Sequence, residues 1–118
     1  MKNIVIIDDN IEITNILGNF FRRFEKVKVE TFNDATLALR YLKTAKIDLV
    51  LSDITMPHTD GLEILQSLFH ANSETNVVMM TADASLEKVL KSHRYNAKGF
   101  VIKPINFADL NQIAKNYL

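Results

Sequence analysis

Lys2-Asn3-Ile4-Val5-Ile6-Ile7-Asp8-Asp9-Asn10 is the stretch that decides how this chain is read. Four consecutive apolar residues, three of them isoleucine, suit a strand covered by helices on both faces. Two acids then end the run. Working outward, short apolar runs alternate with amphipathic segments five times, and no Pro- or Gly-rich linker interrupts them. Strands are predicted over Asn3–Asp8, Val27–Phe32, Asp48–Asp53, Asn76–Met80 and Lys98–Ile102, with helices near residues 11–24, 34–44, 61–71, 84–94 and 107–117. In the first helix Ile13, Ile16, Leu17, Phe20, Phe21 and Phe24 recur at helical spacing and are expected to face the core, opposite Glu12, Asn15, Asn19 and Arg23. The last helix repeats the pattern with Phe107, Leu110, Ile113, Ala114 and Tyr117, entered through Asn106 as its N-cap.

Ile4–Ile7, Leu49–Leu51 and Val77–Met80 are continuously apolar, whereas Val27-Lys28-Val29-Glu30 alternates and is placed at a sheet edge. Right-handed crossovers between parallel strands then give an α/β, doubly wound (βα)5 architecture. It is a five-stranded parallel sheet in the order 2-1-3-4-5 with helices on both faces. Ligands in such sheets bind beyond the carboxyl ends of the strands, where the winding direction reverses.

All 118 residues are read as one domain, residues 1–118, because a single core organises roughly 100–150 residues. Fourteen Lys and Arg balance fourteen Asp and Glu, which argues against a dedicated binder of nucleic acid or of an anionic membrane surface. No cysteine is present, so disulfides, thiol catalysis and thiolate metal sites are excluded together. No apolar run approaches the length of about 20 residues that crosses a bilayer, and no secretory leader precedes Asp8, so a cytoplasmic location is expected.

Five residues stand at the predicted carboxyl ends: Asp8 and Asp9 after the first strand, Asp53 after the third, Thr81 after the fourth and Lys103 after the fifth. Two bare carboxylates about 4 Å apart repel by about 4 kcal/mol at an effective dielectric near 20, so three invite a cation. Ligation by oxygen alone points to a hard divalent ion, Mg2+ first and Mn2+ next. A carboxylate beside such an ion, with an ammonium and a hydroxyl nearby, is equipped to receive a phosphoryl group. Asp53 is the candidate nucleophile, and Asp8 and Asp9 the metal holders.

Ile6-Ile7-Asp8-Asp9-Asn10, the run from Asp53 through Thr55-Met56-Pro57 to Asp60-Gly61, Met80-Thr81-Ala82 and Lys103-Pro104-Ile105 together resemble the receiver domain of two-component response regulators over essentially the whole chain. The resemblance implies a flavodoxin-like fold and phosphorylation of Asp53 by a sensor histidine kinase or histidine phosphotransfer protein. It implies a Mg2+ held by Asp9, Asp53 and the Thr55 carbonyl, with Asp8 acting through a metal-bound water. Thr81 and Lys103 would contact the phosphoryl oxygens, and the Lys103–Pro104 peptide would be cis. Thr81 and Phe100 would act as the switch that remodels the face of the fourth helix, fifth strand and fifth helix, where a partner, effector domain or second copy binds. Phe100 departs from the tyrosine frequent there and has no hydroxyl to offer. Thr55 and Asp83 would flank the path of the attacking water and tune dephosphorylation. The chain is expected to be a stand-alone regulator or the amino-terminal receiver of a longer protein.

Other features carry plainer readings. His58, His70 and His93 lack ligand spacing, Lys88, Lys91, His93 and Arg94 form a solvated face, as does the stretch Arg22–Lys28, and Met79-Met80 is core. A flavin or nucleotide binder of the same strand order would need a phosphate-cradling, often Gly-rich loop after the first strand, where this chain has Asp-Asp-Asn. An aspartate-nucleophile phosphatase would carry a second acid two residues from Asp53, where Thr55 stands. A phosphorylation-independent interaction module is the alternative that keeps the fold without the chemistry.

Overall fold

The computed structural model describes residues 1–56, 61–71, 73–82 and 85–118, the last stretch without the side chains of Leu86 and Lys88. Strands and helices alternate strictly: β1 (Lys2–Ile7), α1 (Ile11–Arg22), β2 (Val27–Phe32), α2 (Ala35–Thr44), β3 (Leu49–Asp53), α3 (Gly61–His70), β4 (Asn76–Thr81), α4 (Leu86–Arg94), β5 (Gly99–Ile102) and α5 (Phe107–Tyr117). The five strands form one parallel sheet in the order β2-β1-β3-β4-β5, as the apolar runs and right-handed crossovers require. β2 lies at an edge, and β3 is buried along its whole length.

Because parallel strands send alternate side chains to opposite faces, the core divides in two. Ile4, Ile6, Leu49, Leu51, Val78 and Met80 pack against α1 and α5. Val5, Ile7, Val50, Val77 and Met79 pack against α2 and α3, with Tyr95, Ala97 and Phe100 partly buried beside them.

Helix entries follow local chemistry. The Asn10 side chain accepts from the Glu12 and Ile13 amides, Asp34 accepts from Thr36 and Leu37, and Asn106 with Asp109 closes a capping box at α5. Two apolar faces need correction. In α1 the fully buried stripe includes Thr14, Leu17, Gly18 and Phe21, while Ile16 is 61% exposed and Phe24 37%. Gly18 lies on the buried side, where a Cβ would stand 2.9 Å from the Arg22 guanidinium and 3.3 Å from the Thr31 methyl, so its absence lets α1 approach β2 closely along that line. Phe24 leaves the stripe because α1 ends at Arg22 and the chain turns through Lys26 in the left-handed region, φ 59°. In α5, Phe107 is 68% exposed at the first helical position, its ring 6.3 Å from that of Phe20.

Candidate functional site

The polar rim follows from strand register. Asp53 ends β3 opposite Met80, which places Thr81 one step further at the end of β4. Thr81 pairs with Ile102, and its carbonyl accepts from the Lys103 amide at 2.8 Å, which brings Lys103 to the same rim. Asp8 follows β1 directly and its amide donates to the Phe32 carbonyl at 3.1 Å. Four side chains from the ends of four central and neighbouring strands thus converge because parallel strands end at one edge.

Asp8, Asp53 and Thr81 are buried, Asp9 is exposed, and Lys103 lies between these extremes. Lys103 Nζ donates to Asp8 Oδ2 at 2.6 Å and stands 3.3 Å from Asp53 Oδ2. The other Asp8 oxygen accepts from the Asn10 amide at 3.0 Å. One carboxylate oxygen from each of Asp8, Asp9 and Asp53 lies within 4.8 Å of the others. Burial pushes the Asp53 carboxyl above its ordinary value and the Asp8 charge adds to this, while Lys103 and the Thr55 backbone N–H oppose the rise. Burial alone would lower Lys103, but the hydrogen bond and charge of Asp8, with the charge of Asp53, outweigh it and hold the ammonium above its ordinary value.

The donor set fits a small hard cation. Octahedral ligation at about 2.0–2.1 Å puts neighbouring oxygens about 2.9 Å and opposite ones about 4.2 Å apart, so acids within 4.8 Å of one another need to draw in by at most about 2 Å for a neighbouring pair and about 0.6 Å for an opposite one. Three formal negative charges against the single Lys103 ammonium leave a deficit that a divalent ion matches. Among the described residues this is the one acidic cluster with such geometry.

The Lys103–Pro104 peptide is cis. Thr55 is exposed just beyond Asp53, and Asp83 lies outside the described residues, as do Pro57, His58 and Asp60. Phe100 is half-buried on β5, opposite Met79. His70 and His93 are exposed, and Lys91 pairs with Glu87 at 3.1 Å along the solvated side of α4. Beside Lys103 an apolar groove of about 390 Å³ runs between Ile13, Ile16, Ala82, Pro104 and Ile105. A larger concavity of about 640 Å³ lies at the other end of the sheet around Met1, Phe24 and Leu118, away from every acid of the cluster.

Asn33 was not read as a participant from the sequence, whereas Asp60-Gly61 is read there as loop and helix-start chemistry that positions Asp53. Gly61 approaches the backbone of Asp53 so closely that a Cβ would stand 1.9 Å from the Asp53 carbonyl oxygen. Asn33 donates to the Asp8 carbonyl at 2.8 Å and to Thr14 Oγ1 at 3.0 Å. The available signal was that Asn33-Asp34 supplies two cap-type residues in a row where α2 needs one.

The sequence matches the family described as response regulator receiver domain over residues 4–115. It is 30% identical over 118 residues to the regulatory protein AtoC of Escherichia coli, all of this chain against 25% of that protein. It is 28% identical to the transcriptional regulatory protein MalR of Bacillus subtilis, over 99% of this chain and 50% of that protein. The chain therefore spans between a quarter and half of these curated relatives. The chemotaxis protein CheY4 of Vibrio cholerae superposes with a TM-score of 0.89 at 27% identity, covering 100% of this chain and 99% of that one.

Proposed function

Since this chain belongs to the response regulator receiver domain family of two-component signalling, we propose that its 118 residues act as one phosphoacceptor switch with Asp53 as the acceptor. A carboxylate oxygen of Asp53 attacks the phosphorus of a phosphohistidine on a sensor kinase or phosphotransfer protein. The new O–P bond forms as the P–N bond breaks, and the imidazole nitrogen keeps the electron pair. The observation that carries this is the convergence on Asp53 of the Lys103 ammonium at 3.3 Å and two further carboxylates within 4.8 Å.

Asp8, Asp9 and Asp53, with the Thr55 carbonyl, would hold Mg2+, or Mn2+ in its place. The ion supplies neutralisation of the charge that spreads over the phosphoryl oxygens in a loose transition state. Lys103 is held in reserve by Asp8 and can turn to a phosphoryl oxygen once one arrives on Asp53. Thr81, buried at the neighbouring strand end, offers its hydroxyl to another. Movement of Thr81 opens space toward which the half-buried Phe100 ring turns, and that repacking alters the α4-β5-α5 face. Leu90 and Ile102, 55% and 56% exposed, give that face apolar contacts for an effector domain, a downstream partner or a second copy after phosphorylation. Thr55 and Asp83 tune hydrolysis of the acyl phosphate. The groove beside Lys103 gives a protein donor an apolar seat next to the acceptor. Among the described residues no helix is long and apolar enough to cross a membrane, and we place the domain in the cytoplasm, where its donor and Mg2+ are available.

Incubation with a small acyl or amido phosphate and Mg2+, followed by intact mass, tests the assignment. A single phosphoryl adduct is expected on the wild type, with none forming when Mg2+ is chelated beforehand and none in Asp53→Ala. No adduct on the wild type, or one that persists in Asp53→Ala, overturns it.

A further inference from the structure

The geometry points to Asn33 as a positioning residue that holds the Asp8–Asp9 peptide, and through it the metal-binding carboxylates, in place. The inference rests on the reading of the acidic cluster as a cation site. Asn33 follows β2 directly, and its side-chain nitrogen reaches back over the end of β1 to two acceptors at once. One is the Asp8 carbonyl at 2.8 Å, the other Thr14 Oγ1 at 3.0 Å. The orientation of the amide is forced, since a backbone carbonyl can only accept. Thr14 is buried and its hydroxyl passes the bond on to the Ile11 carbonyl at 3.1 Å. Asn33 thus spans the loop from the end of β1 to the first turn of α1, the loop that carries Asp8, Asp9 and Asn10.

The Asp8 carbonyl belongs to the peptide plane joining Asp8 to Asp9. Fixing its direction restricts the torsions on either side, which set where both carboxylates can lie. Asp8 already has its side chain pinned by Lys103 and the Asn10 amide. Asp9 is exposed, and its backbone is held from two sides, by the Asn33 anchor on the preceding carbonyl and by the Asn10 amide bond to the Asp8 carboxylate that spans it. Outer contacts of this kind orient the groups that bind a metal, and losing one typically weakens binding about 10–100-fold.

Calorimetric titration of the unphosphorylated protein with Mg2+ or Mn2+ tests this, beside the Mg2+ concentration giving half-maximal phosphorylation by a small phosphodonor. Asn33→Ala is expected to raise both by about tenfold and to leave the rate at saturating Mg2+ within about twofold of wild type. Asp34→Ala is the structural control: it removes the α2 cap, which accepts at 2.7 Å and 3.1 Å, and should lower stability without moving metal affinity. If wild type and Asn33→Ala bind Mg2+ equally, the positioning role is overturned while the metal site stands. If the wild type itself binds no Mg2+, both fall. A measurement on the wild type covers failure of the variant to fold. The Asn33 side-chain amide should keep its hydrogen-bonded proton chemical shifts before and after Mg2+ is added, and their collapse to free-amide values on addition overturns the proposal.

Discussion

The two ends of this one sheet handle acids in opposite ways. At the amino end Asp48 accepts from the Asn3 amide at 2.8 Å while its own amide and carbonyl join Asn3 and Asn76, and Thr75 closes onto the Ile47 carbonyl at 2.7 Å. One carboxylate meets one backbone donor there. At the carboxyl end Asp8 and Asp53 are buried side by side and share one lysine, with Asp9 close by. The first arrangement ties strands together. The second holds like charges close together, which costs stability that a bound cation would relieve. The fold thus places its backbone-paired acid and its clustered acids on opposite rims of the same sheet.

The most damaging test of the carboxyl end is Gly61→Ala. The added Cβ would meet the Asp53 carbonyl oxygen at 1.9 Å and the Asp53 carbon and Ile54 Cα at 2.9 Å, all backbone atoms that cannot swing aside. A loss of about 4 kcal/mol or more is expected in urea denaturation, in the range reserved for severe core defects. A fully stable variant would show that this rim is more pliant than described.

Lys103→Met comes next. It leaves Asp8 and Asp53 facing each other without a counter-charge, at a cost of about 3 kcal/mol. Added Mg2+ should restore more stability to this variant than it gives the wild type, as read by thermal melts with and without the ion. Equal increments would mean that the ion does not relieve this repulsion.

Asp48→Ala sharpens the comparison from the other end. Loss of its charged hydrogen bond should cost about 1.5–3 kcal/mol, with no change in Mg2+ affinity or phosphoryl uptake. A change in either would break the separation between the two rims.

The smallest effect is a slope with pH. The folded-state carboxyl of Asp53 is raised above its ordinary 3.8, so from 3.8 up to that raised value the native state binds more protons than the unfolded chain, and stability falls as pH rises. Lys103 acts at the other extreme: its raised value adds stability below 10.5 that is lost as pH climbs through the folded value. In Mg2+-free buffer Asp53→Asn should therefore melt a few degrees above the wild type at neutral pH, about 1 kcal/mol being worth about 4 °C or more in a domain of this size. The gap should close as pH falls toward 3.8. A constant gap would remove Asp53 ionisation as its cause.

Much of this was legible in the chain. Ile4–Ile7, Leu49–Leu51 and Val77–Met80 are uninterrupted because their strands are covered on both faces, and that continuity marks central strands of a parallel sheet. Once the strands are parallel, the residue after each apolar run must lie on one rim, so Asp8, Asp53, Thr81 and Lys103 could be brought together before any coordinates. Helix faces were harder. The first helix is apolar on so wide an arc that periodicity could not choose between Ile16 and Thr14 as the inward residue, nor see that Phe107 would sit beyond the edge of the core.

Local order in the chain determined the elements, the edge strand, the helix caps and the identity of the rim residues, because covalent spacing and side-chain period act over a few residues. Tertiary structure alone decided that α1 settles with Gly18 against Thr31, that Gly61 abuts the Asp53 backbone, that Lys103 divides itself between Asp8 and Asp53, and that Asn33 holds the Asp8 carbonyl. Each of these joins residues far apart in the chain or depends on distances of a few tenths of an ångström. Hydrophobic pattern carries no such information, since it is blind to how closely two packed elements approach.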